Sequence, residues 1–99
     1  MTTTETSDEY DQLVARTEAT IEKFREDAVE LKSELGGARA ATKVQLMAMI
    51  DRLEKKYDGG LVKLGEIKAN RSMEELGELH HRIASELSDM RRTMERRIR

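Results

Sequence analysis

The sequence predicts an all-α protein: an elongated antiparallel helical hairpin or three-helix coiled-coil-like bundle that self-associates. Three observations lead to this fold class. An apolar stripe repeats every seven residues through the first third of the chain, and such a stripe is normally closed by a second helix. No proline interrupts the 99 residues, so long helices are favoured. Two Gly-Gly pairs divide the chain into segments of helix length.

The first predicted helix spans residues 7–35 and follows a disordered N-terminal tail, residues 1–6. Thr6 and Glu9 have the spacing of a capping box, in which the hydroxyl and the carboxylate each bond a free amide of the first turn. Gly36-Gly37 is expected to end or bend the helix, because paired glycines are costly inside a helix and suit a left-handed cap. The residues of the stripe are separated alternately by four and three positions: Tyr10, Val14, Thr17, Ile21, Phe24, Ala28, Leu31 and Leu35.

The second predicted helix spans residues 38–58 and ends in a turn at Asp58-Gly59-Gly60. This is the clearest turn signal in the chain, because paired glycines are costly inside a helix. The main apolar stripe of this helix consists of Leu46, Ile50, Leu53 and Tyr57, and it is widened by Val44, Met47 and Met49.

The last predicted helix spans residues 61–98. Ser72 and Glu75 form a second capping box, which makes a break near residues 70–72 the alternative; we favour one continuous helix with at most a mild kink. Its apolar residues follow an eleven-residue repeat, which favours straight packing, whereas the first helix favours left-handed supercoiling. A single helical domain, residues 7–99, built as an antiparallel bundle accommodates both repeats. The apolar residues are Leu76, Leu79, Ile83, Leu87, Met90, Met94 and Ile98.

Unequal helix lengths predict self-association. At a rise of about 1.5 Å per residue the helices would be roughly 43, 31 and 57 Å long, so they could not fully cover one another. We expect an interface formed by Tyr10, Val14, Ile21, Phe24, Leu31, Leu35, Leu76, Ile83, Leu87, Met90 and Met94. Two copies of the first helix, paired antiparallel, would place Asp11 near Lys32. The same pairing would place Glu18 near Arg25. Packing of the first helix on the last helix of the same chain is the alternative.

The sequence contains one candidate for a metal site, the spacing Glu78-x-x-His81, which sets a carboxylate and an imidazole one helical turn apart. It resembles the signature of ferritin-like proteins, in which two such motifs and two further glutamates hold two metal ions. With one motif in the chain, the resemblance implies a symmetric ferroxidase dimer, with further carboxylates from Glu26, Glu30 or Glu34. Because the motif lies away from the apolar stripe, we predict no metal site and no cofactor.

Other catalytic motifs are missing from the sequence. There is no cysteine, no serine lies in a Gly-rich elbow, and no glycine-rich loop follows a strand to bind phosphate. We therefore predict that the chain is not an enzyme.

Arginines are concentrated at the C-terminal end, where they could contact nucleic-acid phosphates or an anionic membrane surface: Arg91, Arg92, Arg96, Arg97 and Arg99. The net charge of −2 and the pI of about 5.7 argue against nucleic-acid binding. Basic residues also suit the negative end of a helix dipole. The sequence shows neither an apolar stretch of about 18 residues nor a signal peptide, so we expect a cytoplasmic protein without a transmembrane segment.

Together these observations predict a non-enzymatic module for protein–protein interaction, an adaptor or scaffold that oligomerises through its apolar helix stripes. Its expected partners are copies of itself, as a dimer or higher oligomer, or another helical protein. A ferritin-like metal-binding oligomer that uses Glu78 and His81 is one alternative. A binder of anionic surfaces that uses the C-terminal arginines is the other.

Overall fold

Over the residues that the structure describes, the chain forms three helices that run up, down and up, so the predicted all-α bundle is confirmed; self-association stays a prediction. The structure is a computed structural model that describes residues 2–98, with side chains described from residue 9 to residue 96. Helix α1 spans Thr2–Glu34, a short 3-10 turn spans Leu35–Gly37, α2 spans Ala40–Asn70 and α3 spans Met73–Ile98. The bundle is elongated, with extents of 58 × 22 × 18 Å.

Helix α1 begins earlier than predicted. Residues 2–6 are helical, whereas the sequence predicts a disordered tail over residues 1–6; Met1 lies outside the described residues. The segment contains neither glycine nor proline, and acidic residues near the N-terminus of a helix suit its dipole. The Thr6–Glu9 spacing therefore lies inside α1 and does not mark its first turn.

The chain leaves α1 through Gly36-Gly37, but without a left-handed cap. Neither glycine has a positive φ. The amide of Ala38 instead donates a hydrogen bond to the carbonyl of Leu35 over 3.3 Å, and the backbone at Ala38 is extended. A single 3-10 turn followed by extended backbone thus reverses the chain, and α2 packs against α1.

Helix α2 continues through Asp58-Gly59-Gly60, so the turn predicted there is wrong. Gly60 is buried, and a Cβ atom added to it would lie 3.1 Å from Cγ1 of Ile21 on α1. The missing side chain of Gly60 allows the two helices to approach each other closely at this level. A glycine that a sequence pattern assigns to a turn here lies in the contact between two helices.

The break between α2 and α3 lies at Arg71 and Ser72, so the favoured continuous helix is wrong. Arg71 adopts a left-handed conformation with φ 53° and ψ 37°, which ends α2. The Ser72 hydroxyl accepts a hydrogen bond from the Glu75 amide over 3.2 Å and caps α3. The helices therefore contain 33, 31 and 26 residues. The three helices thus differ much less in length than predicted. The predicted difference was the reason to expect uncovered apolar stripes.

We expect Ser72→Ala to lower the free energy of unfolding by about 1 kcal/mol, because the first turn of α3 loses its capping oxygen. Chemical denaturation followed by circular dichroism measures the change. Ser85→Ala is the matched control: Ser85 is exposed in the middle of α3, where alanine is the better helix former, so stability should stay equal or rise slightly. If the two variants are equally stable, Ser72 does not cap the helix.

The core lies between all three helices. The ion pair between Glu18 and Lys68 (3.6 Å) and the pair between Lys32 and Glu54 (3.4 Å) show that α2 runs antiparallel to α1. None of the helices, over residues 2–98, carries a stretch long and apolar enough to cross a membrane. The buried apolar residues are Ile21, Phe24, Ala28, Leu31, Met49, Ile50, Leu53, Leu64, Ile67, Leu76, Leu79, Ile83, Leu87 and Met90.

Candidate interaction surface

Most residues predicted to form an intermolecular interface lie in the core of the single chain. Those buried by intrachain packing are Ile21, Phe24, Leu31, Leu76, Ile83, Leu87 and Met90. Those partly buried against this core are Tyr10, Val14, Leu35 and Met94. The stripes of α1 and α3 are therefore closed by each other and by α2. Over the described residues, neither stripe presents a continuous seam to a second chain in this conformation.

The charges beside the α1 stripe are also engaged within the chain. Glu18 and Lys32 take their partners from α2. Arg25 hydrogen-bonds Glu22 one turn earlier in α1, and this bond raises the pKa of Arg25 above its usual range. An antiparallel dimer of the first helix would have to replace these contacts. The alternative, packing of α1 against helices of the same chain, is the arrangement observed.

Two polar contacts hold α3 parallel to α1. The Arg91 guanidinium donates hydrogen bonds to the buried Asp27 carboxylate, from Nε over 2.9 Å and from Nη2 over 3.2 Å. These bonds raise the pKa of Arg91 above its usual range. Earlier in α1, the buried Thr17 hydroxyl donates to the Leu13 carbonyl over 2.7 Å and lies 3.3 Å from Nδ1 of His80. Because that hydroxyl hydrogen is directed to Leu13, Nδ1 of His80 is the donor.

Glu78 and His81 are both exposed on α3 and do not lie at a buried seam. The contact between Thr17 and His80 places them beside residues 15–18 of α1. Glu26, the nearest of the glutamates considered as further ligands, is about 12 Å farther along α1. Among the residues with described side chains, no three His, Cys, Asp or Glu residues form a group that could hold a metal ion.

The C-terminal arginines do not form one free cluster. Arg91 is partly exposed but bound to Asp27, and Arg92 and Arg96 are exposed. The side chains of Arg97 and Arg99 lie outside the described residues. Part of the basic segment therefore serves to hold α3 on α1.

Exposed apolar residues are instead most numerous on α2, where Val44 and Val62 lie opposite the buried residues and Met47 and Leu61 lie on one flank. The exposed fractions are 68% for Val44, 61% for Met47, 42% for Leu61 and 63% for Val62. Exposed charged residues lie between these two apolar pairs. We call this surface the α2 outer face and define it by Val44, Met47, Ala48, Asp51, Lys55, Asp58, Leu61 and Val62.

Known proteins offer no guide to this surface. The chain matches no protein-family model, no curated protein and no solved structure. The inference of function therefore rests on the surface itself.

A hollow of about 580 Å³ lies where α1 ends and α2 begins. Its apolar lining includes Leu31, Leu46, Met49 and Met94, and Glu34 is the one ionisable side chain in the lining. The hollow thus offers apolar contact and a single carboxylate.

Sequence reasoning did not single out the α2 outer face. The turn expected at Gly59-Gly60 placed Val44 and Met47 on one predicted helix and Leu61 and Val62 on another, so the two pairs had no common face. The signal that could have found it is the alternating spacing of four and three residues across the glycines, from position 44 to position 62.

Proposed function

We propose that the chain is a non-enzymatic protein–protein interaction module, of adaptor or scaffold type, and that it binds its partner through the α2 outer face. One observation carries the proposal: the large apolar side chains exposed on a single face of α2. Apolar residues grouped on one surface and surrounded by polar residues are typical of protein interaction sites. The lack of cysteine is in keeping with a cytoplasmic location.

This proposal differs from the sequence-based prediction in the surface that it uses. The stripes of α1 and α3 supply the core of the single chain, and core residues become available to a partner only if the bundle opens. The α2 outer face needs no such opening, because its apolar side chains are already in contact with water. Binding there leaves the bundle intact and costs no unfolding.

Site-specific photo-cross-linking tests the proposal. A photoreactive amino acid in place of Val62 should yield protein cross-links in the cells that make the chain, and cross-links to a second copy count. The same amino acid in place of Ser85, which is exposed on α3, is the matched control and should yield few. Equal yields at the two positions, or none at position 62, would show that the α2 outer face is not a binding surface.

A further inference from the structure

We infer that the partner of the α2 outer face is a second copy of this chain, whose own α2 packs antiparallel against the first about a two-fold axis. The inference rests on the proposed function and names the partner. It depends on the order of apolar and charged residues along α2, which is self-complementary when the helix is reversed.

Six positions of the α2 outer face have the spacing of a coiled-coil seam. These positions, 44, 48, 51, 55, 58 and 62, are separated alternately by four and three residues, and all six are exposed. Such spacing keeps side chains in line along one side of a helix. The buried residues of α2, among them Ile50, Leu53 and Leu64, face the opposite side. The seam is thus separate from the core of the bundle.

In one antiparallel register the apolar ends of this seam meet. Val44 lies opposite Val62 of the second copy, and the two-fold axis repeats the pair at the other end. On the flank of the seam, Met47 meets Leu61 of the second copy in the same register. Every large apolar side chain of the α2 outer face then contacts an apolar partner, and burial of this surface supplies the affinity.

Within the seam the charges are complementary in the same register; on the flank, Glu54 faces Glu54 of the second copy and is paired with Lys32 of its own chain. Asp51 lies opposite Lys55 of the second copy, and the axis repeats this pair as well. Within one chain these two side chains form an exposed ion pair over 3.0 Å, so both are available to a partner of opposite charge. Asp58 lies opposite Ala48, whose small side chain leaves the carboxylate in contact with water.

Other arrangements of the two helices are less favourable. A parallel pair would set Asp51 against Asp51 and Lys55 against Lys55, and like charges in direct opposition are destabilising. An antiparallel pair shifted by one heptad would set Asp51 opposite Val62. The same shift would set Val44 opposite Ala69, which reduces the apolar contact. The charges therefore select the antiparallel orientation, and the apolar ends of the seam select the register.

Sedimentation velocity over a concentration series of the full chain tests the inference. The mass should rise from 11.4 kDa toward twice that value as concentration increases. Val62→Glu should weaken the dimer at least about tenfold, because it buries a carboxylate against Val44. Met73→Glu is the matched control: Met73 is an exposed apolar residue of α3, outside the α2 outer face, so this variant should associate as the wild type does. Circular dichroism establishes that each variant is folded.

A charge-exchange experiment tests the register. Asp51→Lys alone and Lys55→Asp alone should each weaken the dimer at least about tenfold, because like charges then face each other across the axis. Mixed in equal amounts, the two variants should form a heterodimer with nearly wild-type affinity. Each contact between positions 51 and 55 in that heterodimer again joins opposite charges.

The inference is overturned if the chain stays at 11.4 kDa at all concentrations. It is also overturned if Val62→Glu leaves the dimer intact, or if the mixed charge variants associate no better than each alone. These results leave the proposed function separately testable. Cross-links from position 62 to a different protein, together with a monomeric chain, would retain the interaction surface and exclude the second copy as its partner.

Discussion

Gly60→Leu should lower the free energy of unfolding by about 3 kcal/mol, because the new side chain would have to enter the contact between α1 and α2. An added Cβ would already lie 3.1 Å from Cγ1 and 3.3 Å from Cδ1 of Ile21, and Ile21 is fully buried. The remaining carbon atoms of leucine need further room, so α1 and α2 would have to separate. Urea denaturation followed by circular dichroism measures the change.

Gly59 provides the matched control. Nothing lies within 4 Å of a Cβ added at Gly59, so Gly59→Ala should raise the free energy of unfolding by about 0.5–1 kcal/mol through helix propensity alone. At Gly60 the same gain is opposed by the displacement of Ile21, so Gly60→Ala should be less stable than Gly59→Ala. Equal gains at both positions would contradict the close approach, and a loss at Gly59 would favour a turn.

The two glycine pairs show which features of the fold can be predicted from the sequence and which cannot. Gly36-Gly37 and Gly59-Gly60 carry the same local signal, and only the first lies in a turn. The difference depends on Ile21, which belongs to another helix and fills the space beside Gly60. Periodicity within one segment predicts that the segment is helical. The residue at which the helix ends depends here on contacts between segments.

Arg71 ends a helix where the favoured prediction has none, whereas Gly59-Gly60 ends no helix where the prediction has one. Arginine has no preference for the left-handed conformation that it adopts between α2 and α3, so composition does not mark this break. The guanidinium lies 5.3 Å from the ring centroid of Tyr10, a cation–π contact with α1. The spacing of Ser72 and Glu75 was the local signal for the break. The contact with Tyr10, which favours it, depends on the tertiary fold.

The residues of the candidate surface were visible in the sequence, but their exposure was not. Periodicity identifies which residues share a face of a helix; it does not say which of two apolar faces is buried. On α1 the apolar seam is the buried face. Helix α2 carries a buried seam that includes Leu53 and a second, mixed seam that includes Val44 and Asp51. Only the packing of α1 and α3 against the first seam shows that the second is free.

The ion pair between Asp27 and Arg91 was also beyond sequence reasoning. Asp27 follows Phe24 by three residues, so its position beside the seam of α1 could be predicted. Its burial and its partner depend on the register of α3 along α1. Because a buried carboxylate without a partner is costly, this pair favours the observed register over registers that separate the two charges.

Arg91→Leu should therefore lower the free energy of unfolding by about 3 kcal/mol, since it leaves the Asp27 carboxylate without its partner. Asp27→Leu should cost less, about 2 kcal/mol. The reason is exposure: the side chain of Arg91 is 45% exposed and can turn to water, whereas that of Asp27 is 11% exposed. Denaturant titration of the two variants at neutral pH measures this asymmetry. The guanidinium of an arginine is charged at neutral pH, so the charge of Arg91 is constant under these conditions.

The double variant Asp27→Leu/Arg91→Leu completes the test. With both charges removed, its stability should return to within about 1 kcal/mol of the wild type, because two apolar side chains fill the contact without a buried charge. Lys63→Ala is the control for an exposed pair: Lys63 lies 3.8 Å from Glu66 on the surface of α2, and its loss should change stability by less than about 0.5 kcal/mol. If Arg91→Leu is no more destabilising than Lys63→Ala, the pair contributes nothing to the register of α3. Equal losses in both single variants would instead show that the difference in burial between Asp27 and Arg91 has no energetic consequence.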